Sequence, residues 1–143
     1  MINFLGSIAL DSFYLTKVDF NTIDKDSLES GNISFGSKVT LMTPNEMPED
    51  KIDYIKLNVE FEVDGKDDNG NELFKLSNEY EAFFRVLNNK TYFESDVKAR
   101  SHYCFSLLYP YVMDDILLLL KRAGVDGVEL PLSATLEDMI PAQ

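Results

Sequence analysis

One cysteine, Cys104, and one histidine, His102, stand among 143 residues, and these two scarcities remove whole classes of chemistry. A lone cysteine closes no internal disulfide, so the fold has to be carried by its core, as suits a reducing compartment. A lone histidine excludes His-rich metal sites and leaves carboxylates as the only plentiful acid or base groups. Basic residues are also few: 13 Lys and Arg face 25 Asp and Glu, a net charge of -12. Without a segregated basic patch, such a chain repels a phosphate backbone, so no nucleic-acid partner is expected. Glycine offers no phosphate loop, because Gly65 and Gly70 sit in a hairpin-like stretch with no helix start behind them. The apolar first ten residues carry no basic residue, the first being Lys17. They therefore lack the positive start of a signal peptide, a cytoplasmic location is expected, and Asn89-Lys90-Thr91 reads as a chance sequon.

What the chain has in quantity is apolar surface. Hydrophobic residues make up 45% of it, enough for one domain spanning residues 1–143 to build a core without disulfides or metal. The stretch from Ser101 to Gly124 reads as a strongly apolar helix with Pro110 inside it. At 100° per residue, Asp114, Asp115, Lys121 and Arg122 share an arc of only about 120°, interrupted by Leu118. A helix covering one sheet needs an apolar stripe of about 100°, so this one is expected to bury a second face, most simply against another subunit. A membrane span would need about 20 apolar residues. Only the five residues 116–120 separate the two charged pairs, so membrane insertion is not expected.

Upstream the period changes to two. Ile55, Leu57, Val59, Phe61 and Val63 alternate with Lys56, Asn58, Glu60 and Glu62, which predicts a half-buried strand. Ile33, Phe35, Val39 and Leu41 form a shorter version before the turn-rich stretch holding Pro44 and Pro48, and these two strands are expected to pair antiparallel. Residues 64–72 join the third strand to a fourth through Phe74, Leu76, Tyr80, Phe84 and Val86. In a first strand near 13–20, Phe13, Leu15, Val18 and Phe20 change parity, which indicates a bulge or a strand buried on both faces. Helical character begins after Asn88 and Asn89, with Ser95 as N-cap, Asp96 in the first turn, and Lys121, Arg122 and Gly124 as the stop. Pro110 should kink or break the helix between Ser106 and Pro110. Residues 125–132 should be extended and a short helix should run from 133 to 140. The fold class is therefore α+β: a four-stranded antiparallel sheet, then a long helix and a short C-terminal helix.

The polar clusters resolve into ordinary structure. With Gly70 as the sixth residue of a calcium loop, Gly65 would fall at the first ligand position, so Asp64, Asp67, Asp68 and Asn69 read as an acidic hairpin. His102 and Cys104 project about 200° apart on a helix, poor geometry for a base and its nucleophile. The pairs Glu60 with Glu62 and Glu79 with Glu81 lie on the polar faces of strands. No catalytic residue, metal or cofactor is expected, and the surplus of aromatic and aliphatic side chains points to a surface for extended apolar peptide or for another subunit.

The order of these elements, with Leu108-Tyr109-Pro110-Tyr111 in the long helix and Leu130-Pro131 beyond Gly124, resembles the SecB family of export chaperones. His102-Tyr103-Cys104 is similar to the family's His-Cys early in that helix. Lys17-Val18-Asp19-Phe20 looks like its first-strand pattern, and Phe74 and Phe84 fit its fourth strand. The resemblance covers residues 13 to 140 and implies a homotetramer, a dimer of dimers with long helices between outward-facing sheets. It also implies an ATP-independent holdase that keeps non-native polypeptide clients translocation-competent. On that basis Val39, Leu41, Leu108 and Tyr109 are expected to line the client groove, and Val112, Ile116, Leu117 and Leu120 the oligomer interface. Where the family contacts the SecA motor through acidic residues and a leucine with a glutamate, this chain has Lys17, Asn21, Lys75 and Ser77. It also ends without the family's longer acidic tail. Both departures set the charge pattern against a SecA contact. The competing expectation is a chaperone of the same build dedicated to one partner, such as the antitoxin of a toxin-antitoxin pair or a phage protein. A small-ligand enzyme would require His102 exposed beside paired carboxylates.

Overall fold

A computed structural model describes residues 6–22, 31–125 and 139–141. Strands β1 (Ile8–Thr22), β2 (Asn32–Met42), β3 (Tyr54–Lys66) and β4 (Glu72–Val86) come first, then helices α1 (Asn89–Phe93) and α2 (Val97–Arg122), and last a short strand β5 (Met139–Pro141). The sheet order is β1-β4-β3-β2-β5. The first four strands pair antiparallel throughout, and β5 joins the free edge of β2 in parallel.

The alternation of β3 sets the sheet's two sides. Ile55, Leu57, Val59, Phe61 and Val63 are all at most 2% exposed. Their register partners on β4, Phe84, Ala82, Tyr80, Asn78 and Leu76, are buried on the same side. Cross-strand neighbours share a face, so one side of the sheet is a continuous apolar layer, and α2 lies against it. The opposite, outward side carries Lys38, Glu60, Glu79 and Lys17 in one row across β2, β3, β4 and β1. The two central carboxylates are thereby flanked by a cation on each side, which offsets their repulsion. Lys56 bonds Glu81 at 3.0 Å on the same face.

The parity change in β1 is a bulge effect. Its register with β4 shifts between Leu10 and Ser12 and again between Leu15 and Lys17. Each extra residue returns the next apolar side chain to the helix side, so Leu10, Phe13, Leu15, Val18 and Phe20 all stand opposite inward residues of β4. At the β3-β4 turn, the Asp67 carboxylate accepts the backbone N–H of Asn69 at 2.9 Å and of Asn71 at 2.8 Å, and the Asn71 amide at 3.1 Å. These bonds hold its carboxyl below the ordinary value. Its oxygens are engaged by their own turn, and Gly70 takes the left-handed conformation that closes it, φ 82°.

The helix differs from expectation in two places. Asp96, not Ser95, is the N-cap: its carboxylate accepts the Ala99 N–H at 2.7 Å, while the Ser95 hydroxyl donates back to the Tyr92 carbonyl and closes the short helix α1. The two residues stand side by side because two helices meet here, α1 ending just before α2 begins. Pro110 leaves α2 unbroken as a single helix of 26 residues. Its missing N–H frees the carbonyl of Ser106, a residue whose own hydroxyl bonds the His102 carbonyl at 2.7 Å. The helix ends on Gly124 at φ 87°, with the Val125 N–H returning to the Leu120 carbonyl. The expected extended stretch beyond 125 and most of the expected short helix lie outside the described residues. The last two residues of that expected helix, Met139 and Ile140, are in strand β5, where the unpaired edge of β2 supplies the backbone partners.

Candidate functional site

The two sides of α2 have different occupations. Toward the sheet it buries Ser101, Cys104, Phe105, Leu108, Tyr109, Val112, Ile116 and Leu120. An aromatic chain marks the seam with β2 and β3: Phe35 stacks on Phe61 at 6.4 Å, Phe61 meets Tyr109 edge-on at 6.4 Å, and Tyr109 meets Phe105 at 5.7 Å. On the β1 side, Phe13 packs against Tyr111 at 4.9 Å. Length and hydropathy alone would let α2 cross a bilayer, but one whole side of it is already spent on the sheet.

A polar clamp lies within this seam. The buried Asn78 amide donates to the Tyr80 hydroxyl at 3.1 Å, and that hydroxyl donates to the Asp115 carboxylate on α2 at 3.0 Å. Burial, with the neighbouring Asp115 charge, drives the Tyr80 phenol far above its ordinary value, so it remains a donor. Among the described residues the buried side-chain oxygen of Asn78 has no hydrogen-bond partner. Farther up the helix, Cys104 packs its thiol 3.7 Å from the Tyr92 hydroxyl, and burial pushes that thiol up to about 12. A protonated, enclosed thiol is a core side chain and not a nucleophile. His102 is half-buried on α2, whereas Glu60, Glu62, Glu79 and Glu81 belong to the outward side of the sheet, so the helix-side histidine and the carboxylate pairs do not meet. Among the described residues no group of three metal-ligating side chains forms.

Apolar surface that the subunit leaves open is the distinguishing feature. Leu15 at 42% and Val18 at 44% exposed lie on the helix side of β1, and Tyr111 at 48% and Leu118 at 53% lie on α2. Tyr103, Leu107, Met113 and Leu117 are half-buried members of the same helix. Along β2, Ile33, Phe35 and Leu41 are half-buried helix-side positions at the sheet's other margin.

Against this surface the expected site residues divide. Of the client-groove set, Val39, Leu108 and Tyr109 are at most 3% exposed and form part of the core, while Leu41 stays half-buried at the rim. Three of the four are therefore floor and not surface. Of the interface set, Val112, Ile116 and Leu120 are fully enclosed between helix and sheet. They are consumed within one subunit, and only Leu117 retains exposure. Helical periodicity identifies an apolar arc but not which part of it the sheet takes, which is why the open positions Tyr111 and Leu118 and the whole of β1's strip went unassigned. The positions Lys17, Asn21, Lys75 and Ser77 come together on the outward face of β1 and β4, with Lys17 opposite Glu79 and Asn21 opposite Lys75.

No protein-family model and no curated protein sequence matches the chain. Solved structures do. One is the SecB-like chaperone Rv1957 of Mycobacterium tuberculosis, in complex with a ChAD peptide from the HigA1 antitoxin. It superposes with a TM-score of 0.59 over 92% of this chain and 94% of that one, at 12% identity. The chain has the SecB-like fold.

Proposed function

We propose that this protein is an ATP-independent chaperone of the SecB-like kind, which binds unfolded polypeptides and holds them from folding or aggregating. The observation that carries this reading is open apolar surface, Leu15, Val18, Tyr111 and Leu118, on a SecB-like fold. Exposed apolar residues grouped on one side of a domain mark an interaction surface, and extended non-native chains supply apolar side chains at regular intervals. Part of the surface serves self-association. The outer side of α2, with Leu117 and Leu118, is the contact for a homotetramer, a dimer of dimers, in the cytoplasm.

Within this reading the role divides between general export and service to one partner. The second is favoured by two observations: the similar Rv1957 structure holds an antitoxin peptide, and Lys17, Asn21, Lys75 and Ser77 place no acidic cluster where a SecA contact would need one. The deciding experiment mixes the purified protein, without ATP, with a slowly refolding unfolded client while light scattering records native mass. Retarded refolding by a species of four subunits is expected. An intact tetramer with no effect on general clients would transfer the role to a dedicated partner, and a monomer with no effect would refute the reading.

A further inference from the structure

On the outward side of the sheet the cations are set against carboxylates, with one exception. In register, Lys17 faces Glu79, Lys38 faces Glu60 and Lys75 faces Asp64, while Lys56 bonds Glu81. Arg85 is the exception. It is exposed, its register partners are Tyr54 on β3 and Ala9 on β1, and among the described residues it has no ion pair. The same end of that face holds apolar side chains in the open: Tyr14 at 56%, Tyr54 at 48% and Met42 at 48% exposed. Contacts within the face hold them in place. Phe83, the next outward position to Arg85 along β4, meets the Tyr14 ring edge-on at 6.2 Å, and the Lys56 amine stands over it at 5.9 Å. The Met42 sulfur accepts the Asn58 amide at 3.4 Å.

Open aromatic rings beside an arginine have the composition of an interface hot spot. This group lies across the sheet from α2 and from the strip of Leu15 and Val18, so neither the core nor the surface described above accounts for it. In a chain of net charge -12 that sets carboxylates against its other sheet cations, the guanidinium of Arg85 is left to take a carboxylate from outside, which it can do through two parallel hydrogen bonds. A phosphate backbone fits less well, since its binding is driven by a row of cations and only one is open here. We propose that the end of the outward face around Arg85 docks a segment of a partner protein that carries acidic and aromatic side chains, a carboxylate on Arg85 and the rings on Tyr14, Phe83 and Tyr54. This site is separate from the polypeptide-binding reading above and does not depend on it.

The test uses the full chain and fluorescence anisotropy. One probe is a pool of labelled short peptides of Asp, Glu, Phe, Tyr and Gly in random order, and a second pool has Lys in place of the acids. Labelled, reduced and carboxamidomethylated α-lactalbumin, a permanently unfolded chain, reports on the client surface. The wild type should bind the acidic pool at least about tenfold more tightly than the basic one. Arg85→Glu should weaken the acidic pool by at least about tenfold and Arg85→Lys by about three- to tenfold, because an ammonium does not reproduce the two-pronged bond. Tyr14→Ser with Tyr54→Ser should weaken it by about tenfold or more. All three variants change exposed side chains and should keep the wild-type circular dichroism and α-lactalbumin binding. No binding of the acidic pool, equal binding of both pools, or no loss in Arg85→Glu overturns the proposal and leaves the chaperone reading untouched. Tighter binding of a single-stranded oligonucleotide than of the acidic pool also overturns it, in favour of a nucleic-acid partner. Loss of α-lactalbumin binding in step with peptide binding overturns it too, by making the patch one more client surface.

Discussion

Strands β3 and β1 send apolar side chains to the same side of one sheet, yet they meet different surroundings there. Leu57 and Val63 of β3 are fully enclosed, while Leu15 and Val18 of β1 stand 42% and 44% exposed. The difference comes from the width of the helix. One α-helix with its side chains is about 10 Å across, whereas four strands about 4.8 Å apart make a wider layer. Alpha2 packs across the sheet onto β1, β3 and β2 but leaves Leu15 and Val18 of β1 open. An inward-facing position in this fold is therefore either core or interface, depending on its distance from the helix axis.

The comparison breaks most visibly with a charge. Leu57→Asp places a carboxylate in the enclosed middle of β3 with no partner, a cost of more than about 4 kcal/mol, comparable to the whole stability of a small domain. The variant is expected to be unfolded by circular dichroism. Leu15→Asp, the same change on the same sheet face, should fold, because its carboxylate keeps access to water. Should both variants unfold alike, the β1 strip is core and the comparison fails.

A steric version is milder. The Phe74 ring lies over Gly65, and a methyl group added at Gly65 would collide with it. Gly65→Ala should cost about 1–3 kcal/mol as the ring is forced aside, read as a lower urea midpoint with unchanged slope.

The clamp between sheet and helix comes next. Tyr80→Phe removes the bond to Asp115 and strands the Asn78 amide in the core, an expected loss of about 1–2 kcal/mol. The thiol of Cys104 adds a pH dependence whose sign follows from its raised value. Between its ordinary value of 9.0 and about 12, the unfolded chain releases the thiol proton and the folded one keeps it. Stability is therefore full below pH 9 and falls as pH rises, by at most about 1.4 kcal/mol per pH unit from this group. Urea midpoints from pH 8 to 11 should decline, and less steeply in Cys104→Ala. A slope identical in both would show that other groups carry the alkaline loss.

How much of this was legible in the sequence follows the same division. Beta3, the β3-β4 hairpin and α2 were readable because each carries a strong local period or turn signal. The parity change in β1 was readable as an alternative, and register settles it as bulging. Alpha1 as a separate helix is not legible, because its five residues are too short to show a period and the capping residues Ser95 and Asp96 stand side by side. Beta5 had no local signal at all, since a three-residue strand exists only through the edge that receives it. Val112, Ile116 and Leu120, which the resemblance marks as interface, are core within the subunit, because an apolar arc does not show where the sheet lies.

The smallest effect on stability gives the sharpest test of the comparison. Leu15→Ser with Val18→Ser removes apolar atoms that are already partly in water, so little transfer energy is lost on folding. The urea midpoint should move by less than about 1 kcal/mol equivalent. Native mass and binding of unfolded α-lactalbumin should both respond, because the open strip is where the two demands meet. If mass falls while binding per subunit is kept, the strip serves assembly and clients use another surface. If binding falls at constant mass, the strip is a client surface. A large drop in stability with neither change would mean that β1, like β3, completes its burial within one chain, and the distinction between the two strands would be lost.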